Sequence, residues 1–403
     1  MDPISVLGWA LSAIWLGIGY RLFQTGFELE QAAQSYPEPD LWPRVSIVVP
    51  ARNEAHAISN CLEKLLAQDY PNLEIIAVND RSEDATASLM ETWAAQDSRL
   101  KVVTIIDKPA DWLGKTHALW QGVNVASGDW LLFMDGDIFL APDCLKLAVR
   151  FAEGRKVDQL SLFPDFIPGG YWENLFICHF GIMFFSVYDL AGLENPRRKH
   201  SYTGIGAFGL FKRESYLACG GHQTLALEVI DDVQLGRLLK NEGFKISALF
   251  ARQRVQLRWH QGVKGLFKGL EKNAFAGIRY SWSLLCLFTA VVGVFFILPY
   301  FAIFLWPGLR SSGFAMSLLL FHGLYFCKGQ EFCKNPWIGL AAPLGALLNL
   351  VTFWHSAVKT LWQKGIYWRE DFYPLQALKA KMYRGQPLTK PRESPILKAN
   401  SDR

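Results

Sequence analysis

The chain has 403 residues, of which 51% are hydrophobic and only 19% are charged. A composition this apolar excludes an intrinsically disordered chain, because the burial of apolar side chains outweighs the entropy lost on folding. Its 41 basic and 37 acidic residues leave a formal net charge of +4, too balanced for a protein with a nucleic-acid partner. The seven scattered cysteines include no CxxC pair and indicate reduced thiols that face a cytosol.

The first apolar segment, residues 3–20, carries no charged side chain. Its length is close to the ~20 residues that a helix needs to cross a bilayer. A signal peptide would have basic residues before the apolar run, whereas this run follows Asp2 and precedes Arg21. We predict a retained transmembrane anchor over residues 1–24, with the N-terminus outside because Arg21 favours the cytoplasmic side. A buried helix is the alternative.

Residues 40–260 are predicted to form a soluble α/β domain. Four short apolar runs, VSIVVP, LEIIAVND, LKVVTIID and WLLFMD, alternate with helical patterns, which indicates parallel strands covered on both faces. Pro50 is expected to end the first run, and Asn53 to cap the helix that follows. Ligands of such sheets bind beyond the carboxyl ends of the strands, where Pro50, Asp80 and Asp135 would converge.

Asp135 and Asp137 flank a glycine directly after the fourth run. Two carboxylates this close repel each other unless a cation or protons intervene. A divalent ion, Mg²⁺ or Mn²⁺, that also binds substrate phosphates would relieve the repulsion. A solvated Asp-Gly turn is the alternative.

Asp231 and Asp232 open a second helical pattern, VIDDVQLGRLLKN. Acidic residues are favoured at a helix N-terminus by the helix dipole, and this alone could account for them. In the functional interpretation, one of the two is a general base toward an acceptor hydroxyl.

Two glycine motifs are rejected as nucleotide loops. Gly114-Lys115-Thr116 has Pro109 where a phosphate-binding loop needs glycine. A GxGxxG pattern begins at Gly204 and Gly206 but has neither a clear strand before it nor a helix after it. Gly204 and Gly206 are instead predicted to let the backbone approach a ligand or another strand.

The region after the α/β domain begins with Arg258 and Trp259. An arginine can neutralise a phosphate and tryptophan favours a membrane boundary, although snorkelling at an interface explains both equally well. Over residues 261–280, apolar side chains recur on one helical face and lysines on the other. This pattern predicts an interfacial amphipathic helix, with a soluble core helix as the alternative.

Uncharged stretches at 281–309, 311–327 and 335–357 predict transmembrane segments over 281–358, the middle one being short. The tail, 359–403, has ten Lys/Arg against four Asp/Glu and should stay in the cytoplasm. Three full crossings would place it outside, so either one segment is re-entrant or fewer than three cross.

Six segments resemble, in order, those of the membrane-bound family 2 glycosyltransferases, over residues 42–260: VSIVVPARNEA, IIAVNDRSEDAT, GKTHALWQG, the strand with DGD, GAFGLFKRESYLACGGH and VIDDVQLG. These are inverting enzymes with the nucleotide-diphospho-sugar transferase fold. The resemblance implies a mostly parallel mixed sheet in a cytoplasmic catalytic domain, with N-terminal and C-terminal transmembrane helices. The ending KGIYWREDFYP resembles the branch that glycosylates carotenoids and hopanoids.

The resemblance also implies roles for individual residues. The nucleotide pocket would be lined by Pro50, Arg52, Glu54, Asp80, Lys115 and Asp135. Asp137, with Asp135, would hold Mn²⁺ or Mg²⁺. Asp232 would be the general base, although Asp231 stands where the family commonly has Glu, which leaves the roles within the pair open. The acceptor or diphosphate side would include Gly204, Gly206, Arg258 and Trp259.

The resulting hypothesis is an integral protein of the cell (inner) membrane. It would transfer one sugar from a nucleoside-diphosphate donor, a UDP-sugar by first expectation, to a membrane lipid. The apolar segment 167–185 could present the lipid acceptor, or be ordinary core. A polyprenyl-phosphate glycosyltransferase, a processive polysaccharide synthase and a catalytically silent membrane scaffold are the alternatives. Val255 argues against the synthase, since it replaces the Gln of the Gln-x-x-Arg-Trp motif.

Overall fold

The structure, a computed structural model, describes residues 2–24 and 26–386. The part of the predicted tail beyond residue 386 lies outside the described residues. Within them the strands are β1 Val45–Ala51, β2 Leu73–Asp80, β3 Leu100–Ile105, β4 Trp130–Phe133, β5 Phe139–Leu140, β6 Gln159–Phe166, β7 Gly209–Lys212, β8 Ile246–Leu257, β9 Gly365–Trp368 and β10 Asp371–Pro374.

The first eight of these strands form one sheet in the order β3-β2-β1-β4-β7-β6-β8-β5. The pairs β1–β2, β2–β3 and β1–β4 are parallel, whereas β4–β7, β6–β7 and β5–β8 are antiparallel. The expected mostly parallel mixed sheet is confirmed. The strands β9 and β10 form a separate antiparallel hairpin.

Burial on both faces of the sheet explains the continuous apolar runs. Ile47 and Ile75 belong to the core on one face, and their neighbours Val48 and Ile76 belong to the core on the other. Side chains alternate between the faces of a strand, so a strand covered on both sides needs apolar residues at every position.

The end of β1 differs from the prediction, because the strand continues through Pro50 to Ala51. The register pairs Val48 with Phe133, the last residue of β4, so Pro50 lies beyond that partner strand. A proline is tolerated where a neighbouring strand has ended. Since β1, β2 and β4 are parallel, their carboxyl ends lie at one edge of the sheet.

Glu74, near the start of β2, is a buried carboxylate with a complete set of partners. Its oxygens lie 2.5 Å from the Lys101 ammonium and 2.5 Å from the Ser46 hydroxyl, and accept the Ser127 N–H at 2.9 Å. Burial alone would raise its pKa, but these partners outweigh burial and lower the pKa to about 2.

We expect Glu74→Gln to reduce the free energy of unfolding by about 2–3 kcal/mol near neutral pH. Because the folded-state pKa lies below the ordinary 4.5, this contribution is present above about pH 4.5 and is lost as the pH falls toward 2. Thermal unfolding of the detergent-purified chain at several pH values measures it. The matched control is Glu214→Gln, whose carboxylate is 85% exposed; equal losses in both variants would contradict the prediction.

The described residues also form helices α1 Pro3–Gln24, α2 Leu29–Gln34, α3 Ile58–Leu66, α4 Thr86–Ala94, α5 Gly114–Val125, α6 Cys144–Arg155, α7 Tyr171–Val187, α8 Arg213–Ala218, α9 Gly221–Thr224, α10 Asp231–Asn241, α11 Gly262–Leu270, α12 Asn273–Gly277, α13 Trp282–Val292, α14 Leu298–Leu305, α15 Ser312–Cys333, α16 Ala342–Gln363 and α17 Leu375–Lys381. The chain divides into two compact units. Among the described residues, the sheet unit comprises 27–165, 189–257 and 380–386, and the helical unit comprises 2–24, 26, 166–188 and 258–379.

Three segments of the helical unit are long and apolar enough to cross a membrane: Pro3–Phe23, Trp282–Leu305 and Pro336–Gln363. The predicted short middle segment is instead part of the 22-residue α15, which continues through Lys328 and Glu331, 2.8 Å apart. An ion pair one turn apart on a helix offsets part of the cost of two charges there. The predicted helix over 261–280 is divided into α11 and α12.

Helix α1 packs closely against α15 through small residues. A Cβ on Gly8 would lie 2.9 Å from the Phe314 backbone nitrogen, and one on Gly313 would lie 2.5 Å from the Trp9 nitrogen. The Ser12 hydroxyl donates to the Gly313 carbonyl at 2.7 Å. Small residues and a serine at a helix crossing are typical of packing between membrane helices.

The sheet unit is completed by residues 380–386, here called the C-terminal strap. Lys381 lies 2.7 Å from the Asp111 carboxylate, and Asn241 at the end of α10 donates to the Tyr383 hydroxyl at 2.8 Å. The Tyr383 backbone N–H donates to the buried carboxylate of Glu228. The strap therefore contacts both α10 and the chain segment that leads into it.

Candidate active site

The acidic pair stands at the first turn of α10, as the sequence pattern predicts. Asp232 accepts the backbone N–H of Val233 at 2.8 Å and that of Gly206 at 2.7 Å. Its side chain is partly exposed, whereas Asp231 is buried. These two N–H groups fix the Asp232 carboxylate in one orientation.

Gly204 is needed because its backbone lies directly against α10. A Cβ at this position would be 1.8 Å from the Asp232 carbonyl oxygen, a distance that no side chain tolerates. The close approach brings the Gly206 N–H to the Asp232 carboxylate. The glycines therefore approach a helix rather than a second strand.

Lys115, in the first turn of α5, lies between the carboxylates of the site. Its ammonium is 2.7 Å from Asp135 Oδ1 and 4.0 Å from Asp231 Oδ1. The neighbouring Thr116 hydroxyl donates to the Ala226 carbonyl at 2.7 Å, which ties α5 to the chain before the acidic pair. Burial alone would lower the Lys115 pKa, but the surrounding carboxylates raise it, so the group stays charged.

The two acids differ electrostatically. Burial alone would raise the pKa of Asp231, but the Lys115 ammonium and the His222 ring outweigh burial and lower it. Burial and the negative charge on Asp231 raise the pKa of Asp232 to about 6, although Lys115 acts in the opposite direction. Asp231 is therefore the acid that favours the anionic form, and Asp232 is the one that takes up a proton more readily.

These groups line a cleft of about 330 Å³, measured out to its open mouth. Clefts that bind small molecules commonly combine apolar walls with a few convergent polar groups. The polar lining residues are Lys115, Asp135, His222, Asp231 and Asp232, and the apolar ones include Phe133, Met134 and Ile205.

Two further residues of this network were not predicted from the sequence. His222 lies with Nε2 3.5 Å from the Asp231 carboxylate and Nδ1 2.8 Å from the Tyr216 hydroxyl. Both side chains are almost fully buried. A histidine and a tyrosine near a Gly-Gly turn carry no signal in a single sequence, because only the tertiary fold brings them to Asp231.

The residues present fit a divalent cation in part. Desolvation and the charges on Asp135 and Glu54 raise the pKa of Asp137, although Lys115 acts in the opposite direction. Within residues 2–24 and 26–386, no group of three or more His, Cys, Asp or Glu side chains is arranged to hold a metal. Asp135 and Asp137 therefore fit an ion that takes its other ligands from phosphates and water.

The remaining predicted nucleotide residues lie at the same edge of the sheet but do not line the cleft. Asp80 ends β2 and accepts from Arg81 Nε at 2.8 Å, while a Cβ on Gly114 would lie 2.6 Å from its other oxygen. Pro50 and Arg52 lie at and beyond the end of β1, followed by Glu54, whose N–H donates to Thr86.

The expectation that Asn53 caps the next helix is wrong. Helix α3 begins at Ile58, and the Asn53 side chain instead accepts the Glu83 N–H at 2.9 Å. Asn53 also adopts a positive φ of 54°, which asparagine tolerates better than most residues. The side chain therefore links the loops after β1 and β2.

Arg258 and Trp259 belong to the helical unit. Arg258 pairs with the buried Glu173 at 3.6 Å, and Trp259 packs on Phe180 with ring centroids 4.7 Å apart. Their predicted place on the acceptor or diphosphate side stays a prediction.

The fold has a counterpart among solved structures. A mannosyltransferase from Pyrobaculum calidifontis, solved in complex with GDP-Man and Mn²⁺, superposes with a TM-score of 0.50 at 20% identity, over 90% of this chain and 99% of that one. The sheet unit therefore has the predicted nucleotide-diphospho-sugar transferase fold. The model of the family described as Glycosyl transferase family 2 matches residues 46–218 of this chain.

The curated relatives include the 4,4'-diaponeurosporenoate glycosyltransferase of Staphylococcus aureus (strain USA300). It is 28% identical over 238 residues, which is 58% of this chain. The matched region spans 61% of the length of that relative.

Proposed function

We propose that the chain is an inverting glycosyltransferase that moves one sugar from a nucleoside-diphosphate sugar to a membrane lipid. The observation that carries the proposal is the arrangement of Asp232 in a family 2 domain. Asp232 is partly exposed at the cleft, oriented by two N–H groups, and has a raised pKa. These properties suit a general base, which works best with a pKa near the working pH.

In the proposed reaction, the Asp232 carboxylate takes the proton of the acceptor hydroxyl as its oxygen attacks the anomeric carbon. The nucleoside diphosphate departs from the opposite face, so a single displacement inverts the configuration. An acceptor carboxylate would attack without needing that proton transfer.

Lys115 would supply a fixed positive charge near the phosphates. Its ammonium is held between Asp135 and Asp231 and needs no proton uptake to act. A divalent cation held by Asp135 and Asp137, Mn²⁺ or Mg²⁺, would offset the charge that develops on the leaving diphosphate. Pro50, Arg52, Glu54 and Asp80 are proposed to hold the nucleotide, with a UDP-sugar as the first donor to test.

A lipid acceptor is supported by the three candidate membrane helices and by the relative named for a carotenoid acid. We place the protein in the cell (inner) membrane with the sheet unit in the cytoplasm. In the chain, one candidate span precedes the sheet unit and two follow its last strand. The segment after the third span would therefore return to the cytoplasmic side, where the sheet unit lies. The C-terminal strap packs in the sheet unit, which supports this topology. With only two spans after the sheet unit, no re-entrant segment is needed.

A processive synthase is disfavoured by Val255. This residue replaces the glutamine of the synthase motif and is fully buried in β8, opposite Leu140. The polyprenyl-phosphate alternative would share the donor site, but an acceptor phosphate needs little help from a base.

The test uses inverted membrane vesicles, whose cytoplasmic face is outward. They receive Mn²⁺, a panel of nucleotide sugars and a lipid extract of the source cells, and mass spectrometry identifies the lipid products. We expect one lipid class to gain a single hexose-sized unit. Long polymers would instead indicate a synthase, and no sugar transfer from any donor would overturn the proposal.

A further inference from the structure

Tyr216 and His222 form a buried network behind Asp231 that the proposed reaction does not use directly. The Tyr216 hydroxyl receives the His222 backbone N–H at 3.0 Å and lies 2.8 Å from His222 Nδ1. On the other side of the ring, Nε2 is 3.5 Å from Asp231 Oδ2. Gly221, at φ +45°, leaves room for this arrangement, since a Cβ there would be 2.2 Å from the Tyr216 ring.

The hydrogen-bond count selects one tautomer of His222. A tyrosine hydroxyl donates one hydrogen bond, and among the described residues the fully buried Tyr216 hydroxyl has one acceptor within reach, His222 Nδ1. If Nδ1 carried the proton, the Tyr216 oxygen would accept two N–H groups and its own O–H would be buried without an acceptor, which costs stability. Nδ1 is therefore the acceptor, and the ring proton resides on Nε2, facing Asp231.

We infer that Tyr216 and His222 are positioning residues that act through Asp231. The Tyr216 O–H fixes the His222 tautomer, and the Nε2–H holds the Asp231 carboxylate as an anion oriented toward Lys115. The Phe133 ring packs edge-to-face with the imidazole, with ring centroids 5.0 Å apart, and helps to hold the imidazole in place. This inference rests on the proposed function, because it assigns the positioning of Asp231 and Lys115 within the same reaction.

The consequence for the site is a separation of roles. With Nε2–H donating to it, Asp231 stays ionised and shares Lys115 with Asp135, which leaves Asp232 free to accept a proton. Without that donor, the buried Asp231 carboxylate would either draw Lys115 away from Asp135 or become protonated. Both changes would impair transfer more than donor binding.

The test compares His222→Leu, which removes the donor, with His222→Gln, whose amide N–H can replace Nε2–H. With the donor and lipid that the wild-type protein uses, we expect His222→Leu to lower kcat about 10–100-fold, the usual scale for a group that orients a catalytic residue. The donor KM should change less than about threefold, and His222→Gln should recover most of kcat. Equal losses in both variants would show mere packing and overturn the inference, as would wild-type kcat in His222→Leu.

Tyr216→Phe provides a second variant that keeps the ring. It removes only the proton that fixes the tautomer and should lower kcat about tenfold. The control is Tyr70→Phe, which also deletes a buried tyrosine hydroxyl, one that donates to the Pro43 carbonyl at 2.6 Å, away from the site. Both variants should lose a similar amount of thermal stability, but only Tyr216→Phe should have a lower kcat. An unchanged kcat in Tyr216→Phe would contradict the inference.

A double-mutant cycle of thermal stability distinguishes failure of this inference from failure of the proposed function. His222→Leu, Asp231→Ala and the double variant are unfolded thermally as full-length chains in detergent. If Nε2–H binds Asp231, the double variant should lose several degrees less than the sum of the two single losses. Additive losses would refute the contact even if transfer is observed, whereas non-additive losses without transfer would refute only the proposed function.

Discussion

Asp232→Asn is expected to lower the transfer rate about 100-fold or more while the donor affinity changes less than about twofold. The amide keeps the shape of the side chain, and its single oxygen can still accept one of the Gly206 and Val233 N–H groups, but it cannot take a proton. Transfer is measured by mass spectrometry of the lipid product, and donor affinity by calorimetry. The pH profile provides a second measure: kcat/KM of the wild type should decline as the pH falls through about 6, where Asp232 becomes protonated.

Asp69→Asn is the matched control for this change. The Asp69 carboxylate is 69% exposed and pairs with Lys146 at 3.0 Å on the surface of the same unit, so its loss should leave transfer unchanged. Near-normal turnover of Asp232→Asn would exclude Asp232 as the base and favour an acceptor that needs none, a phosphate or a carboxylate. If turnover with a hydroxyl acceptor persisted, Asp231 and Glu228 would be the next acids to test.

Asp137→Ala is expected to abolish the part of nucleotide-sugar binding that depends on Mn²⁺. Burial and, after it, the neighbouring carboxylates raise the pKa of Asp137, and a cation bound there would offset the repulsion between the carboxylates. Calorimetry of a nucleotide sugar with and without Mn²⁺ measures the effect in the wild type and the variant.

In the wild type, chelation of the metal should weaken binding about as much as the substitution does, and the two losses should not add. Asp69→Asn again serves as the control, since it removes a carboxylate without touching the site. An Asp137→Ala protein that keeps full Mn²⁺-dependent affinity would contradict the metal assignment.

The sheet and the acidic pair could be predicted from the sequence because their signals are local. Strands buried on both faces are continuous apolar runs, as in β2, where all eight residues are buried. Acids at a helix N-terminus are favoured by the helix dipole, so the start of α10 at Asp231 follows from the pattern.

Other features depend on contacts between distant segments and left no local signal. Asn53 has the residue type of a helix cap, but the loop after β2 offers it the Glu83 N–H instead. Gly204 could be recognised as permissive, yet only the fold shows that it lies against Asp232. The role of His222 likewise requires Tyr216 and Asp231 to meet in space.

The unit to which helix α7 belongs could not be predicted from the sequence either. Tyr171–Val187 lies between strands of the sheet in the sequence, but it packs with α15 and α16 in the helical unit. Its apolar residues suit a core in either unit, so composition could not assign it.

The C-terminal strap has a consequence for how the protein is made. Tyr383 and Lys381 complete the sheet unit, but a ribosome adds them only after it has synthesised all three candidate membrane helices of the described residues. The nascent sheet unit therefore gains its last segment, and the contact of that segment with α10, only after those helices have been made.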